Sequence, residues 1–159
     1  MLRALTAVAM ILLGVPHAAA SDDKAVLRVA ELLRKAIVAQ DIRAMVAIVH
    51  PSGIGCIDSG FTRKEWEAEL RNPSSIMSAM FFDTPRWREN AQSVYEVLSV
   101  RDFFVSAKGV RARVHDQVGH TKVVIFSADQ PSQVDPVMEF SFARDDTGRW
   151  RLVSIPNCG

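Results

Sequence analysis

Residues 137–155 read VMEFSFARDDTGRWRLVSI, and their reading decides the fold class. Phe140 and Phe142 alternate with Glu139 and Ser141, the period of a half-buried strand. Asp145, Asp146, Thr147 and Gly148 form the clearest turn in the chain, and Trp150 and Leu152 share one side of the strand that follows. Pro156 stops that strand, because it offers no amide hydrogen to a ladder. The stretch is two strands joined by a turn, with Phe140 and Phe142 on one face.

Reading backwards, the strand character continues to Gly109. Val110, Ala112 and Val114 alternate with Arg111, Arg113 and His115, and a turn around Asp116 to Gly119 leads into a second strand, Thr121 to Phe126. Before Gly109 the pattern is helical. Val26, Val29, Ala30, Leu33 and Ile37 recur at three- and four-residue steps, after a start at Ser21 with Asp22 and Asp23 as an acidic first turn. Asp41 is placed to cap a second, shorter helix that Pro51 must end, so the two meet at a tight corner. Thr62 with Glu65 spells a capping box before Trp66 and Leu70. Ser74 or Ser75 can open a further helix, closed by Asp83, Thr84 and Pro85, and Ser99 with Asp102 can cap a short turn through Phe103 and Phe104. Trp87 to Leu98 reads equally as helix or strand. Helices first and an antiparallel meander last predict an α+β fold: N-terminal helices packed on a curved, mainly antiparallel C-terminal sheet.

The first twenty residues are of a different kind. Arg3 is a positive n-region, Ala4 to Val15 is apolar apart from Thr6 and Gly14, and Pro16 precedes the small residues Ala18, Ala19 and Ala20. That order is a cleavable secretory signal peptide, with Ser21 as the new N-terminus. An apolar run of about 12 residues is too short to cross a hydrocarbon core, which needs roughly 20, so no stable membrane insertion is expected after cleavage. The expectation is a periplasmic or secreted product, 1–20 being the signal peptide and 21–159 a single α+β domain.

Charge and cysteine usage follow from that compartment. The whole sequence holds 19 Lys and Arg against 18 Asp and Glu. Arg3 is the only charged residue of the signal segment, so basic and acidic side chains balance in the remainder. Without a basic stripe to release counterions from phosphates, no nucleic-acid partner is expected. Cys56 and Cys158 are the only cysteines. In an oxidising compartment, an even count without CxxC spacing reads as one structural disulfide. Closing a loop of about 100 residues contributes at most roughly 4.7 kcal/mol in the chain-entropy treatment.

An N-terminal helical pair, a His-Pro-x-Gly corner at His50 to Gly53, and closing strands reading Phe140-x-Phe142 then Arg149-Trp150-Arg151-Leu152 resemble the NTF2-like (cystatin-like cone) superfamily. The likeness is one of layout and covers most of the chain after residue 20. It implies a curved sheet wrapped around the long helix, with a cone-shaped cavity between them. Members include isomerases and dehydratases that use Asp, His or Tyr in the cavity, and binding or accessory domains with no chemistry. Fold alone does not choose between them.

Candidate chemistry is sparse. His50, at a helix C-terminus, can face a pocket with Asp58 as an orienting carboxylate, or simply cap its helix. Tyr95 and Glu139, with Ser141 beside it, can serve as acid and base in a cone pocket, since desolvation raises a carboxylate's pKa towards a useful value. Alternation turns Glu139 to solvent if Phe140 and Phe142 fill the core. His115, Asp116 and His120 flank one turn and could ligate zinc or copper, yet their spacing fits no established ligand motif, and no metal or cofactor is expected. Arg86-Trp87-Arg88 and Arg149-Trp150-Arg151 place aromatics between guanidinium groups, which suits anionic or sugar ligands as well as a core Trp with wet flanks. The leading expectation is an exported, envelope-type, non-catalytic module that binds a small apolar ligand or a protein. The alternatives are an NTF2-like enzyme using His50 and Asp58 or Tyr95 and Glu139, and an inhibitor or immunity-type partner of another exported protein.

Overall fold

The computed structural model describes residues 17–56, 59–91, 98–116, 120–129 and 137–156. Among them the chain runs α1 (His17–Ala39), α2 (Ile42–Ile48), β1 (Ile54–Cys56), β2 (Ser59–Phe61), α3 (Arg63–Arg71), α4 (Ile76–Phe82), α5 (Thr84–Ala91), α6 (Val100–Ser106), β3 (Arg111–Asp116), β4 (Thr121–Ser127), β5 (Val137–Arg144) and β6 (Trp150–Ser154). The strands form one sheet in the order β2-β1-β6-β5-β4-β3. Every pairing is antiparallel except β1 with β6, where Gly55 lies opposite Ser154. The fold is α+β.

Local chemistry sets most helix boundaries. Asp41 accepts the Ala44 amide hydrogen at 3.0 Å, and Gln40 takes φ +54°, so the chain turns from α1 into α2 within two residues. The Thr62–Glu65 capping box is complete: Thr62 Oγ1 accepts from Glu65 N at 3.2 Å, and Thr62 N donates to Glu65 Oε2 at 2.8 Å. Ser75 and Ser99 cap α4 and α6 through the amides of Ser78 and Asp102.

Two boundaries differ from expectation. α1 begins at His17, ahead of Ser21, because Ala18 to Ala20 are strong helix formers. Asp22 and Asp23 therefore lie beyond the first turn and serve as anchors instead: Asp22 pairs with Arg144, and Asp23 takes Lys122 Nζ at 2.6 Å. Asp83, Thr84 and Pro85 end one helix and also begin another. Asp83 Oδ1 accepts from Arg86 N at 3.2 Å, and Pro85 sits in the first turn of α5, where a missing amide hydrogen costs nothing.

The helices cover one face of the sheet. Register puts Ala112, Phe126 and Met138 in one row and Val114, Val124 and Phe140 in the next, both on the helical side. Phe126 and Phe140 are buried there against Phe104 of α6, with ring centroids 5.0 Å (Phe104–Phe126) and 5.9 Å (Phe126–Phe140) apart in edge-to-face contact. Val26, Ala30, Leu33 and Ile37 of α1 fill the middle of this core, and Trp66 and Phe81 meet edge-on at its far end. The opposite face carries the row Arg113, Ile125 and Glu139.

Two ties anchor β6, inside the sheet, to the exit of α2 and to the turn before it. His50 N donates to Leu152 O at 2.9 Å, which docks the exit of α2 on β6. Arg151 bridges the same neighbourhood, with Nε on Asp145 Oδ2 at 2.9 Å and Nη1 on Ala47 O at 3.0 Å. Asp145 also accepts from Thr147 N, Thr147 Oγ1 and Arg149 N. The Arg151 guanidinium, and then the Thr147 hydroxyl, hold its carboxyl well below the usual carboxylate range.

Candidate functional site

A cavity of about 360 Å³ opens between α1, the end of α6 and the β3–β4 edge. Phe104 and Phe126 lie at its base, both nearly buried, so much of its exposed lining is polar. Its walls are small: Ala107 and Val110 from the α6–β3 connection, and Ala112 from β3. Small side chains where the alternation would admit large ones leave the space unfilled, and it falls within the lower part of the size range of small-molecule sites.

One polar couple stands at the mouth, Glu31 and Arg34 of α1. Arg34 donates through Nε to Glu31 Oε2 at 2.8 Å and through Nη2 to Glu31 Oε1 at 2.7 Å, a two-pronged contact between residues three apart on a helix. The Arg34 hydrogen bond holds the Glu31 carboxyl below its ordinary value; burial opposes it, and the Arg34 and Lys35 charges add to it. Nearby, Arg111 pairs with Asp129, and Asp129 N donates to Lys108 O at 3.0 Å, which ties the connecting loop to the end of β4. The arrangement can hold an apolar body on the aromatic floor and offer both donors and acceptors at the rim. Among the described residues lining it, no base stands beside a nucleophile.

The sequence-derived candidates lie elsewhere. His50 sits at the turn after α2, where its Nδ1 accepts from Ser52 N at 3.2 Å and lies 2.6 Å from Ser52 Oγ. Asp58 and Tyr95 lie outside the described residues. Glu139 is exposed on the sheet face away from the helices, opposite Phe140 and Phe142, which are buried. His115 and His120 are exposed at the β3–β4 end, the Asp116 side chain is outside the described part, and no three metal-ligating side chains converge among the described residues. Of the aromatic-arginine clusters, Trp150 is buried with Arg144 over its ring at 4.9 Å, and Arg151 is engaged by Asp145. Cys56 ends β1, its side chain and Cys158 lying outside the described part.

A second, more open groove of about 380 Å³ runs along β1, β2 and β6, lined by Ser52, Gly53, Gly55, Gly60 and the neighbouring Phe61 and Val153. Among the described residues, no titratable side chain lines it. No helix among the described residues is long and apolar enough to cross a membrane. Comparison of the chain with protein families, with curated proteins and with solved structures found no match in any of the three.

Proposed function

We propose that the chain is an exported, non-catalytic binding module of NTF2-like layout that takes a small apolar ligand into the cavity between α1, α6 and the β3–β4 edge. The observation that carries this reading is the Phe104–Phe126 floor under an unfilled space walled by Ala107, Val110 and Ala112. The two titratable groups at its mouth, Glu31 and Arg34, are bonded to each other, an arrangement suited to holding a ligand more than to moving a proton. The helical pair, the corner at His50 to Gly53 and a cavity between the long helix and the sheet all support the NTF2-like resemblance.

Export remains the reading of residues 1–20, and the disulfide belongs with it. β1 and β6 run parallel with Gly55 opposite Ser154, so Cys56 and the residues after Ser154 leave the sheet at the same end. This placement supports a Cys56–Cys158 bridge, the two thiols yielding two protons and two electrons to a disulfide donor of the oxidising compartment.

The test is an amide NMR titration of the purified protein with toluene. Shifts should concentrate at Ala107, Val110 and Ala112. Ala112→Phe should fill the cavity and abolish them without lowering the melting temperature, because Ala112 is exposed on an edge strand that accepts an aromatic residue. Shifts confined to other parts of the chain, or binding unchanged in Ala112→Phe, would overturn the reading.

A further inference from the structure

The rim of the cavity has a charge pattern that narrows the ligand class, on the footing of the cavity reading just given. Glu31 and Arg34 form a closed neutral couple: two guanidinium nitrogens meet both carboxylate oxygens at 2.7 and 2.8 Å. That geometry leaves Arg34 Nη1 as an uncommitted donor and the remaining carboxylate lone pairs as acceptors, side by side over the Phe104–Phe126 floor. The side chains are partly sheltered, Arg34 at 29% and Glu31 at 42% exposure, so neither charge is fully screened by water.

Other ionic groups on the same elements do not upset the balance. Arg111 is paired with Asp129 beyond Ala112, and Arg101 of α6 lies 3.5 Å from Asp102. Lys35, 67% exposed, stands 4.0 Å from Glu31, and Lys108 is exposed on the connecting loop, so both are largely solvent-screened. A carboxylate entering this mouth meets Glu31, and an ammonium meets Arg34. A neutral head that both donates and accepts, such as a primary amide or a hydroxyl, meets a partner for each function and disturbs neither charge.

We infer that the cavity selects uncharged amphiphiles: a compact aromatic or branched apolar body on Phe104 and Phe126, and an amide or hydroxyl head bonded to the Glu31–Arg34 couple. The couple is then the specificity-determining element of the site, and the ring edges and small walls shape the space for the apolar body. An i,i+3 pair of this kind contributes only a few tenths of a kcal/mol to helix stability, so either member can be neutralised without loss of the fold.

The experiment uses three planar, near-isosteric heads that differ in charge and in the hydrogen bonding that goes with it: benzamide (neutral, donor and acceptor), benzoate (anionic, acceptor) and benzamidinium (cationic, donor), each titrated into the full-length protein and followed at the Ala107 and Val110 amides. Benzamide should bind about tenfold more tightly than either ion, the size of effect expected from one unfavourable charge contact at a partly sheltered site. Glu31→Gln should move the preference to benzoate, and Arg34→Gln should move it to benzamidinium. Benzoate binding best in the unaltered protein would make Arg34 an anion site, and equal affinities for all three would show that the couple does not select; either result overturns this inference and leaves the cavity in place. Absence of any cavity shift with benzamide and with toluene alike would instead overturn the cavity reading on which it rests.

Discussion

Replacing Gly53 by alanine should destabilise the protein more than any other glycine substitution in its turns. Gly53 holds φ +105°, a conformation L residues rarely adopt. A Cβ built there would stand 2.3 Å from the Phe61 carbonyl oxygen and 3.2 Å from its carbon, with Thr62 Cα behind. That carbonyl belongs to β2, whose Phe61 is paired with Ile54, so relief requires β2 to move off β1. The unfavourable backbone conformation costs about 1–3 kcal/mol, and the steric displacement of the strand costs about 1–3 kcal/mol more. Domains of this kind hold only about 5–15 kcal/mol in total. At about 2–4 °C per kcal/mol for a chain of this size, the melting temperature should drop by roughly 10 °C. Gly148→Ala is the internal reference: its φ is also positive, at +76°, but the nearest atom to an added Cβ is Arg144 Nη1 at 3.8 Å, an ordinary contact. It should lose only about 1–2 kcal/mol. Thermal unfolding of the two variants, followed by circular dichroism and calorimetry, decides the matter. If Gly53→Ala melts no lower than Gly148→Ala, the close approach of β2 to this turn is wrong.

Two further outcomes are expected. Because Asp145 is held below the ordinary carboxylate range in the folded protein, its bonds add stability above the unfolded pKa of about 3.9, and that stability is lost as the pH falls towards the folded value. The melting temperature of the unaltered protein should therefore decline below about pH 4, whereas Asp145→Asn should start lower at neutral pH and show a shallower acid limb; parallel limbs would exclude Asp145 as a contributor. Mass spectrometry of the exported protein should find an N-terminus at Ser21 and a mass two hydrogens below that of the reduced form; an intact leader would remove the cleavage, and two alkylatable thiols would remove the bridge.

Short-range chemistry was legible in the sequence, and long-range convergence was not. The Asp41 cap, the Thr62–Glu65 box and the Ser99 cap need only residues three apart, and each is found where the sequence places it. The alternation of Phe140 and Phe142 with Glu139 separates two faces, since the period of a strand is a local property, but that the aromatic face is the buried one follows only from the packing of the helices. The start of α1 escaped because a cap residue marks a helix start only if the chain before it is unsuited to helix, and three alanines are not. The cavity escaped for another reason. Glu31 and Arg34 look like an ordinary ion pair beside an apolar helical stripe, and Phe104 and Phe126 like ordinary core. Only the packing of α6 against β4 brings the two rings together, 5.0 Å apart, beneath that pair. The available signal was the run of small residues at Ala107 and Ala112, in a register where bulk would have closed the space.

The position of β6 bears on when this molecule can fold. Trp150–Ser154 lies between β1 and β5, so it is the strand that joins the hairpin of residues 54–61 to the meander of residues 111–144. A nascent chain lacking residues 150–154 holds two separate pieces of sheet with no hydrogen bonds between them, and the exit of α2 has no Leu152 carbonyl to dock on. Completion of the sheet must wait for almost the whole sequence, a high-contact-order closure that is slow by nature. On the export reading proposed above, that delay would favour a chain that must cross a membrane before its sheet closes.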